Sequence, residues 1–444
     1  MAETFDLIVQ GGVLVTPNGI GAGDVGVRDG RIARIGSLGG ASAAETIDAA
    51  GLHVLPGLID SQVHFREPGL EHKEDLATGT AAAALGGIAT VFEMPNTKPP
   101  TATVADIEGK FARAAGRAWT DHAFFAGATE ANAAELGELE RLPGVAGVKL
   151  FMGSSTGNLL VADDDVIREV LRNGSRRVAI HAEDEARLIE RKGLAVDHPR
   201  NHPVWRDAES AIRATQRILA LARETGRRVH VLHISTAEEM EILAGARDVA
   251  TVEVTPQHLT LEAPDAYDRL GAYAQMNPPI RDGRHRLALW RAVRAGIADV
   301  MGSDHAPHTA EEKARPYPES PSGMPGVQTM LPLMLDRVNA GELSLERLVD
   351  LLAGGPARVY GVAGKGRLAE GYDGDLTLVD LRRSETIGSD WLASKCGWSP
   401  FEGRTVTGWP VATVVRGNVV MRDGTLDGNP PGVPVRFQES LLRG

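Results

Sequence analysis

The segment Asp60-Ser-Gln-Val-His-Phe-Arg-Glu-Pro-Gly69 follows the apolar run His53-Val-Leu-Pro-Gly-Leu-Ile59 and sets Gln62, His64 and Arg66 at alternate positions. In an extended chain alternate side chains share a face. An imidazole beside a guanidinium suits a metal ligand next to an anion clamp. Polar residues close other apolar runs in the same way: Asn96, Lys149, His181, His233, then Asp304, His305 and His308. Neutral imidazoles, a carboxylate and water suit zinc better than manganese or cobalt. Lys149 leaves two readings open. Its ammonium pairs with Asp304 or a surface carboxylate. Alternatively its amine, neutral through burial, has reacted with CO2 to give a carbamate able to bridge two metals.

Positioning such groups requires a scaffold that gathers strand ends. Eight apolar runs are present: Val54–Phe65, Ile88–Pro95, His122–Gly127, Gly147–Met152, Val178–Glu183, Val229–Ser235, Thr251–Pro256 and Val300–Pro307. Helical patterns separate most of them, as at Lys73–Leu85, Val104–Ala115, Ala208–Arg223, Ala237–Ala246 and Arg284–Ala295. This alternation predicts an α/β protein, a (β/α)8 barrel whose polar residues sit at the C-terminal rim. Residues 4–55 and the far C-terminus instead alternate short β-type runs with Gly and Asp turns, as in Asp6–Val9, Gly12–Val15, Gly374–Val379 and Val411–Arg416. Neither end alone can bury a good core. The expected organisation is therefore 1–55 and 366–444 as two parts of one small β-sandwich, with the barrel over 56–365. The irregular stretch from Pro307 to Val327 reads as a lid or substrate loop.

Composition narrows the function. The 444 residues carry 43% hydrophobic residues and a net charge of −12, with no long basic run. Nucleic-acid binding is disfavoured. One cysteine, Cys396, excludes an internal disulfide and points to a reducing cytoplasm. No segment has the roughly 20 apolar residues of a membrane span.

Five segments together resemble dihydroorotases over nearly the whole chain: Q-V-H-F-R-E-P-G-x3-K-E-D (Gln62 to Asp75), E-M-P-N-T-K-P (Glu93 to Pro99), M-N-P-P-I-R (Met276 to Arg281), S-D-H-A-P-H-T-x-E-E-K (Ser303 to Lys313) and W-S-P-F-E-G (Trp398 to Gly403). The combination is far more specific than S-D-H-A-P-H, which alone would implicate only the wider cyclic amidohydrolases. The resemblance implies a cytoplasmic, metal-dependent enzyme of pyrimidine synthesis. It would interconvert N-carbamoyl-L-aspartate and L-dihydroorotate, with one or two zinc ions, two if Lys149 is carboxylated. His64, Asp304 and a carbamate on Lys149 would form one metal site. Lys149, His181 and His233 would form the other. Asp304 would be the general acid/base. His64, Arg66, Asn96, Asn277, His308 and the backbone at Ser322-Gly323 would hold substrate, and Gly153–Gly157 resembles a mobile loop. A homodimer and an association with aspartate carbamoyltransferase are expected partners.

One position departs from the family. H-x-H is usual where this chain has Gln62 before His64, and a neutral amide oxygen is a weaker zinc ligand than imidazole. His64, Asp304 and one carbamate oxygen still make the three ligands of an open site. Two other functions compete: a catalytically impaired structural partner of the carbamoyltransferase, and a hydantoinase or allantoinase. The remaining candidates read as structural. His53 and His230 lie early in their runs; His198 and His202 flank prolines and are expected on the surface. His258 is a loop contact or supports the site, and Glu253 supports a neighbour by hydrogen bonding. Cys396 is a small buried hydrophobe.

Overall fold

Eight parallel strands follow one another in sequence order: β1 (Leu58–Val63), β2 (Ile88–Glu93), β3 (Asp121–Gly127), β4 (Val145–Phe151), β5 (Val178–His181), β6 (Val229–Val231), β7 (Ala250–Val254) and β8 (Val300–Met301). This is a computed structural model, and it describes residues 3–155, 157 and 159–438. The ring closes where Val63 bridges His305 in parallel and the His64 N–H donates to the His305 carbonyl at 2.8 Å. Every residue of the eight strands is buried. Helices cover the outside and side chains fill the inside, which is why the runs read as continuously apolar.

The two shortest strands end where the chain turns to present chemistry. Just beyond β6, His233 has φ +39°, and just beyond β8, Asp304 has φ +45°. Neither is glycine, and left-handed backbone of this kind needs support from its surroundings. At β8 that support is visible. The Ser303 N–H donates to Asp60 Oδ1 at 3.0 Å and the Ser303 carbonyl accepts from Gln257 Nε2 at 2.7 Å. Side chains thus replace ladder bonds that the turned backbone cannot make.

The run from Val54 to Phe65 divides in two. Residues His53–Pro56 pair with Thr4–Thr16 and Leu376–Thr386 in a second sheet, and only Leu58–Val63 enters the barrel. Gly57 is the joint. Its N–H donates to the Asp375 carbonyl at 2.7 Å, and a Cβ there would lie 2.3 Å from the Asp375 side chain. The second sheet has nine strands and is built from both ends of the chain, meeting at His53–Pro56 against Leu376–Thr386. Its core gathers Leu7, Val9, Val27, Val54, Leu376, Leu378 and Val414. Asp6–Val9 and Gly12–Val15, which read as separate strands, form one strand, Thr4–Thr16, with a register shift between Val9 and Gly12. Gly11 at φ +75° lets the strand absorb the extra residue as a bulge.

A buried ion cluster ties the sheet to the N-terminal end of the barrel. Among the described residues, Asp121, Asp373 and Asp375 are a trio of carboxylates close enough to hold a metal. Lys365 Nζ already stands 2.7 Å from Asp121 and 3.2 Å from Asp373, and also binds Asp375. Three surrounding carboxylates push the Lys365 pKa up, so the trio's charge is met by an ammonium. We read this trio as structural.

Candidate active site

At the C-terminal mouth of the barrel one cavity is lined by Gln62, His64, Arg66, Asn96, Lys149, His181, His233, Asn277, Asp304, Ser322 and Gly323. Residues up to 261 positions apart in sequence meet there. Gln62, His64 and Arg66 enter from the end of β1 at period two, while Val63 and Phe65 turn into the core. His308 stands behind the cavity, 3.4 Å from Arg66 Nη2 and 3.0 Å from the Ser322 carbonyl.

Two pairs of donor atoms face each other. His181 Nδ1 lies 3.1 Å from His233 Nε2, and His64 Nε2 lies 3.2 Å from Asp304 Oδ1. Two ligands on a tetrahedral zinc, each about 2.0–2.1 Å from it, are separated by roughly 3.3 Å. Both pairs therefore have the spacing such an ion demands. Burial keeps His64, His181 and His233 below the usual imidazole pKa, hence neutral and able to ligate. His181 is also held in one tautomer. Its Nε2 meets Glu183 Oε2 at 3.0 Å, and Glu183 is kept ionised by Arg206, whose Nε lies 3.1 Å from Glu183 Oε1. The carboxylate takes the Nε2–H, so the Nδ1 lone pair faces the cavity.

Lys149 lines the same cavity. It is buried on β4, and its Nζ makes no ion pair or hydrogen bond among the described residues. Nζ stands 4.4 Å from the centroid of the Phe151 ring. Burial lowers its pKa to about 7, against the opposing pull of Asp304 and Glu253. A pairing with Asp304 at contact distance is thus absent, and a large share of the amine is neutral at pH 7. Buried atoms without partners mark the same place: Gln62 Oε1, His233 Nδ1 and Arg66 Nη1. Orphaned donors and acceptors are rare in folded interiors and call for a ligand. The donor chemistry, and the spacing within each pair, fit a metal ion.

The cavity's outer side is cationic and amide-rich. Arg66 is 1% exposed at φ +66°, held by its Nε–H to the Pro307 carbonyl at 3.2 Å. Asn96 Oδ1 meets His64 Nδ1 at 2.7 Å. Asn277 Oδ1 accepts from His202 Nε2 at 3.0 Å, which leaves the Asn277 amide nitrogen to point elsewhere. Gly323 has φ +136°, and a Cβ there would lie 2.5 Å from the Ala306 carbonyl, so only glycine lets this loop close over the mouth. Its N–H already donates to the Gln275 carbonyl at 2.8 Å.

His202 corrects the sequence expectation. It is 1% exposed and anchors Asn277, with Ser322 Oγ 3.4 Å away. The flanking prolines suggested a surface loop, but its contacts lie 75 and 120 positions away, beyond any local reading. Glu183 and Arg206 were also missed. Glu183 was legible, because it follows His181 by two residues. The stretch from Pro307 to Val327 contains a short helix, Ala310–Lys313, and Lys313 Nζ donates to the carbonyls of Pro321 and Gly323 at 2.9 and 3.0 Å. Lys73 links the mouth to this loop, 3.1 Å from His308 Nδ1 and 3.0 Å from Glu312. Of the stretch Gly153–Gly157, Thr156 lies outside the described residues, whereas Ser154 is tied to Glu185 and Ser155 lines the cavity. His258 bonds Thr255 and the Pro278 carbonyl, and Glu253 lies 3.4 Å from Ser61 beneath the site. Cys396 is buried beside Ser394. Among the described residues no helix is long and apolar enough to cross a membrane.

Comparison with known proteins agrees with this geometry. The sequence profile of the Amidohydrolase family matches residues 53–420. A dihydroorotase of Methanothermobacter thermautotrophicus is 39% identical over 416 residues, covering 93% of this chain and 94% of its own. An allantoinase of Rubrobacter xylanophilus is 37% identical, covering 98% of each chain. The solved structure of an L-hydantoinase from Arthrobacter aurescens superposes with a TM-score of 0.92 at 32% identity, covering 97% of this chain and all of its own.

Proposed function

The chain belongs to the amidohydrolase family and is a hydrolase acting on cyclic amides; from that premise we propose that it is a metal-dependent dihydroorotase, interconverting L-dihydroorotate and N-carbamoyl-L-aspartate for pyrimidine synthesis. The observation that carries the choice is Arg66, a buried guanidinium in the cavity whose Nη1 has no hydrogen-bond partner among the described residues. It fits a substrate bearing a carboxylate, which simple hydantoins lack.

Lys149 as its carbamate, His181 and His233 would hold a divalent cation, with His64, Asp304 and Gln62 beside it. Such an ion, preferably zinc, supplies an activated water near neutral pH and polarises the ring carbonyl. Asp304 moves the proton. Its Oδ1 accepts from Gln62 Nε2 and faces His64 Nε2, whereas Oδ2 has no hydrogen bond among the described residues. In hydrolysis Oδ2 takes a proton from the attacking water and returns it to the leaving ring nitrogen. In ring closure Asp304 begins protonated. Arg66 orients the substrate by gripping its carboxylate, and Asn96 and Asn277 meet its amide edges.

A panel of dihydroorotate, carbamoyl-aspartate, allantoin and 5-substituted hydantoins, given to zinc-loaded enzyme, tests the reading. Dihydroorotate turnover should exceed the rest. Faster turnover of uncharged hydantoins or of allantoin would assign the chain to those relatives instead, and no turnover at all would leave it a non-catalytic barrel. Arg66→Lys keeps the charge but loses the planar fork. Losing one charged hydrogen bond of about 1.5–3 kcal/mol lowers kcat/KM by about 10–150-fold, with KM carrying most of the change. Equal losses for allantoin and dihydroorotate would remove the carboxylate clamp from the proposal.

A further inference from the structure

Gln62 does more than weaken a ligand set. Its Nε2 stands 3.1 Å from Asp304 Oδ1, the same oxygen that faces His64 Nε2 at 3.2 Å. An ionised carboxylate only accepts hydrogen bonds, so the amide must present its nitrogen there and its oxygen away. That oxygen, Oε1, is buried with no hydrogen-bond partner among the described residues. The amide N–H therefore points at the oxygen that a cation beside His64 would need. To offer Oε1 instead, the side chain would have to turn over and give up its bond to Asp304. Even then an amide oxygen is a poorer zinc ligand than imidazole. The opposite pair has no such competitor. His181 is fixed by Glu183, His233 faces it at 3.1 Å, and Lys149 Nζ makes no ion pair among the described residues.

We infer that Gln62 makes the centre mononuclear: one ion binds tightly on the Lys149, His181 and His233 side, while Gln62 occupies the place of a second by hydrogen bonding to Asp304. Gln62 is then a positioning residue. It holds Asp304 Oδ1 as a second cation would, leaving Oδ2 to face the substrate. This rests on the proposed metal dependence but not on the identity of the cyclic amide.

The metal content of the holoenzyme decides it, measured per chain after gel filtration. The wild type should hold about one zinc, and Gln62→His, which restores an imidazole, about two. Exchange into manganese(II) gives a second readout independent of turnover. The wild type should show the spectrum of an isolated ion by electron paramagnetic resonance, and Gln62→His that of a spin-coupled pair. Two ions or a coupled spectrum in the wild type would overturn the inference, as would a single ion in folded Gln62→His. Should Gln62→His not fold, Gln62→Glu supplies a carboxylate ligand in place of the imidazole and is read in the same way. A wild-type chain that turns over dihydroorotate with two ions defeats this inference alone. One that holds no metal defeats the metal-dependent reading as well.

Discussion

Replacing Lys149 with alanine should lower kcat/KM by about 1,000-fold or more, because under the proposed mechanism the site would lose the carbamate that holds a cation and so several kcal/mol of stabilisation of the reacting charge. Small carboxylates such as acetate or propionate, fitted into the space left, should restore a measurable part of the activity. The structure motivates this outcome because Nζ is buried without an ion pair among the described residues, and burial lowers its pKa to about 7. A lysine kept only for packing would predict the reverse. Lys149→Met would then keep its activity, and no carboxylate would help Lys149→Ala. The metal-free chain offers a second reading of the same residue. The folded pKa lies below the ordinary value of 10.5. Between pH 7 and 10.5 the unfolded chain therefore holds more protons on this lysine than the folded chain, and stability rises with pH across that window. The penalty is fully present below pH 7. Lys149→Met should thus be more stable than the wild type without metal or CO2, by more at pH 7 than at pH 10. Chemical denaturation at both values checks the sign. An inactive variant that is also more stable would separate function from fold at this position.

The second large effect is expected at Asp304. Asp304→Asn should lower kcat by about 100- to 10,000-fold, the range that a positioned acid/base contributes, with a smaller change in KM. The substitution is unusually clean. Asparagine tolerates the left-handed backbone that Asp304 adopts at φ +45°, and its side-chain oxygen can still accept from Gln62 Nε2. What it loses is the ability to take and return a proton. The pH–rate profile gives the decisive observation. The limb that reports this carboxyl in the wild type should vanish in Asp304→Asn. A variant that retains both the limb and the rate would move the proton transfer to another group. Loss of bound metal in Asp304→Asn, with kcat restored by excess zinc, would instead make Asp304 chiefly a ligand.

The two effects bear on different parts of one geometry. Lys149 enters from β4 and Asp304 from the turn after β8, so neither depends on the other's backbone. They interact through charge, since Asp304 raises the Lys149 pKa that burial lowers. A double variant should therefore fall short of the product of the single effects, as expected for groups that act as a unit.

Much of this protein was legible in its residues. The barrel followed from eight buried runs separated by helical patterns, because a strand covered on both faces must be continuously apolar. The polar residues closing those runs marked the mouth, because a (β/α)8 barrel brings its strand ends together whatever their separation in sequence. That His64, Lys149, His181, His233 and Asp304 line one cavity was expected without coordinates. Where the first run divides did need them. Gly57 marks the joint only because Asp375 lies against it, more than 300 residues later. Tertiary structure alone decided four further matters: that Lys149 has no carboxylate at contact distance among the described residues, that the Gln62 amide donates to Asp304, that His202 is buried under Asn277, and that the Gly323 N–H is engaged by Gln275. The physical reason is the same in each case. Periodicity is a property of neighbouring residues and fixes which face a side chain takes, whereas the partner of a buried polar atom is chosen by whichever distant segment the closed barrel delivers to it.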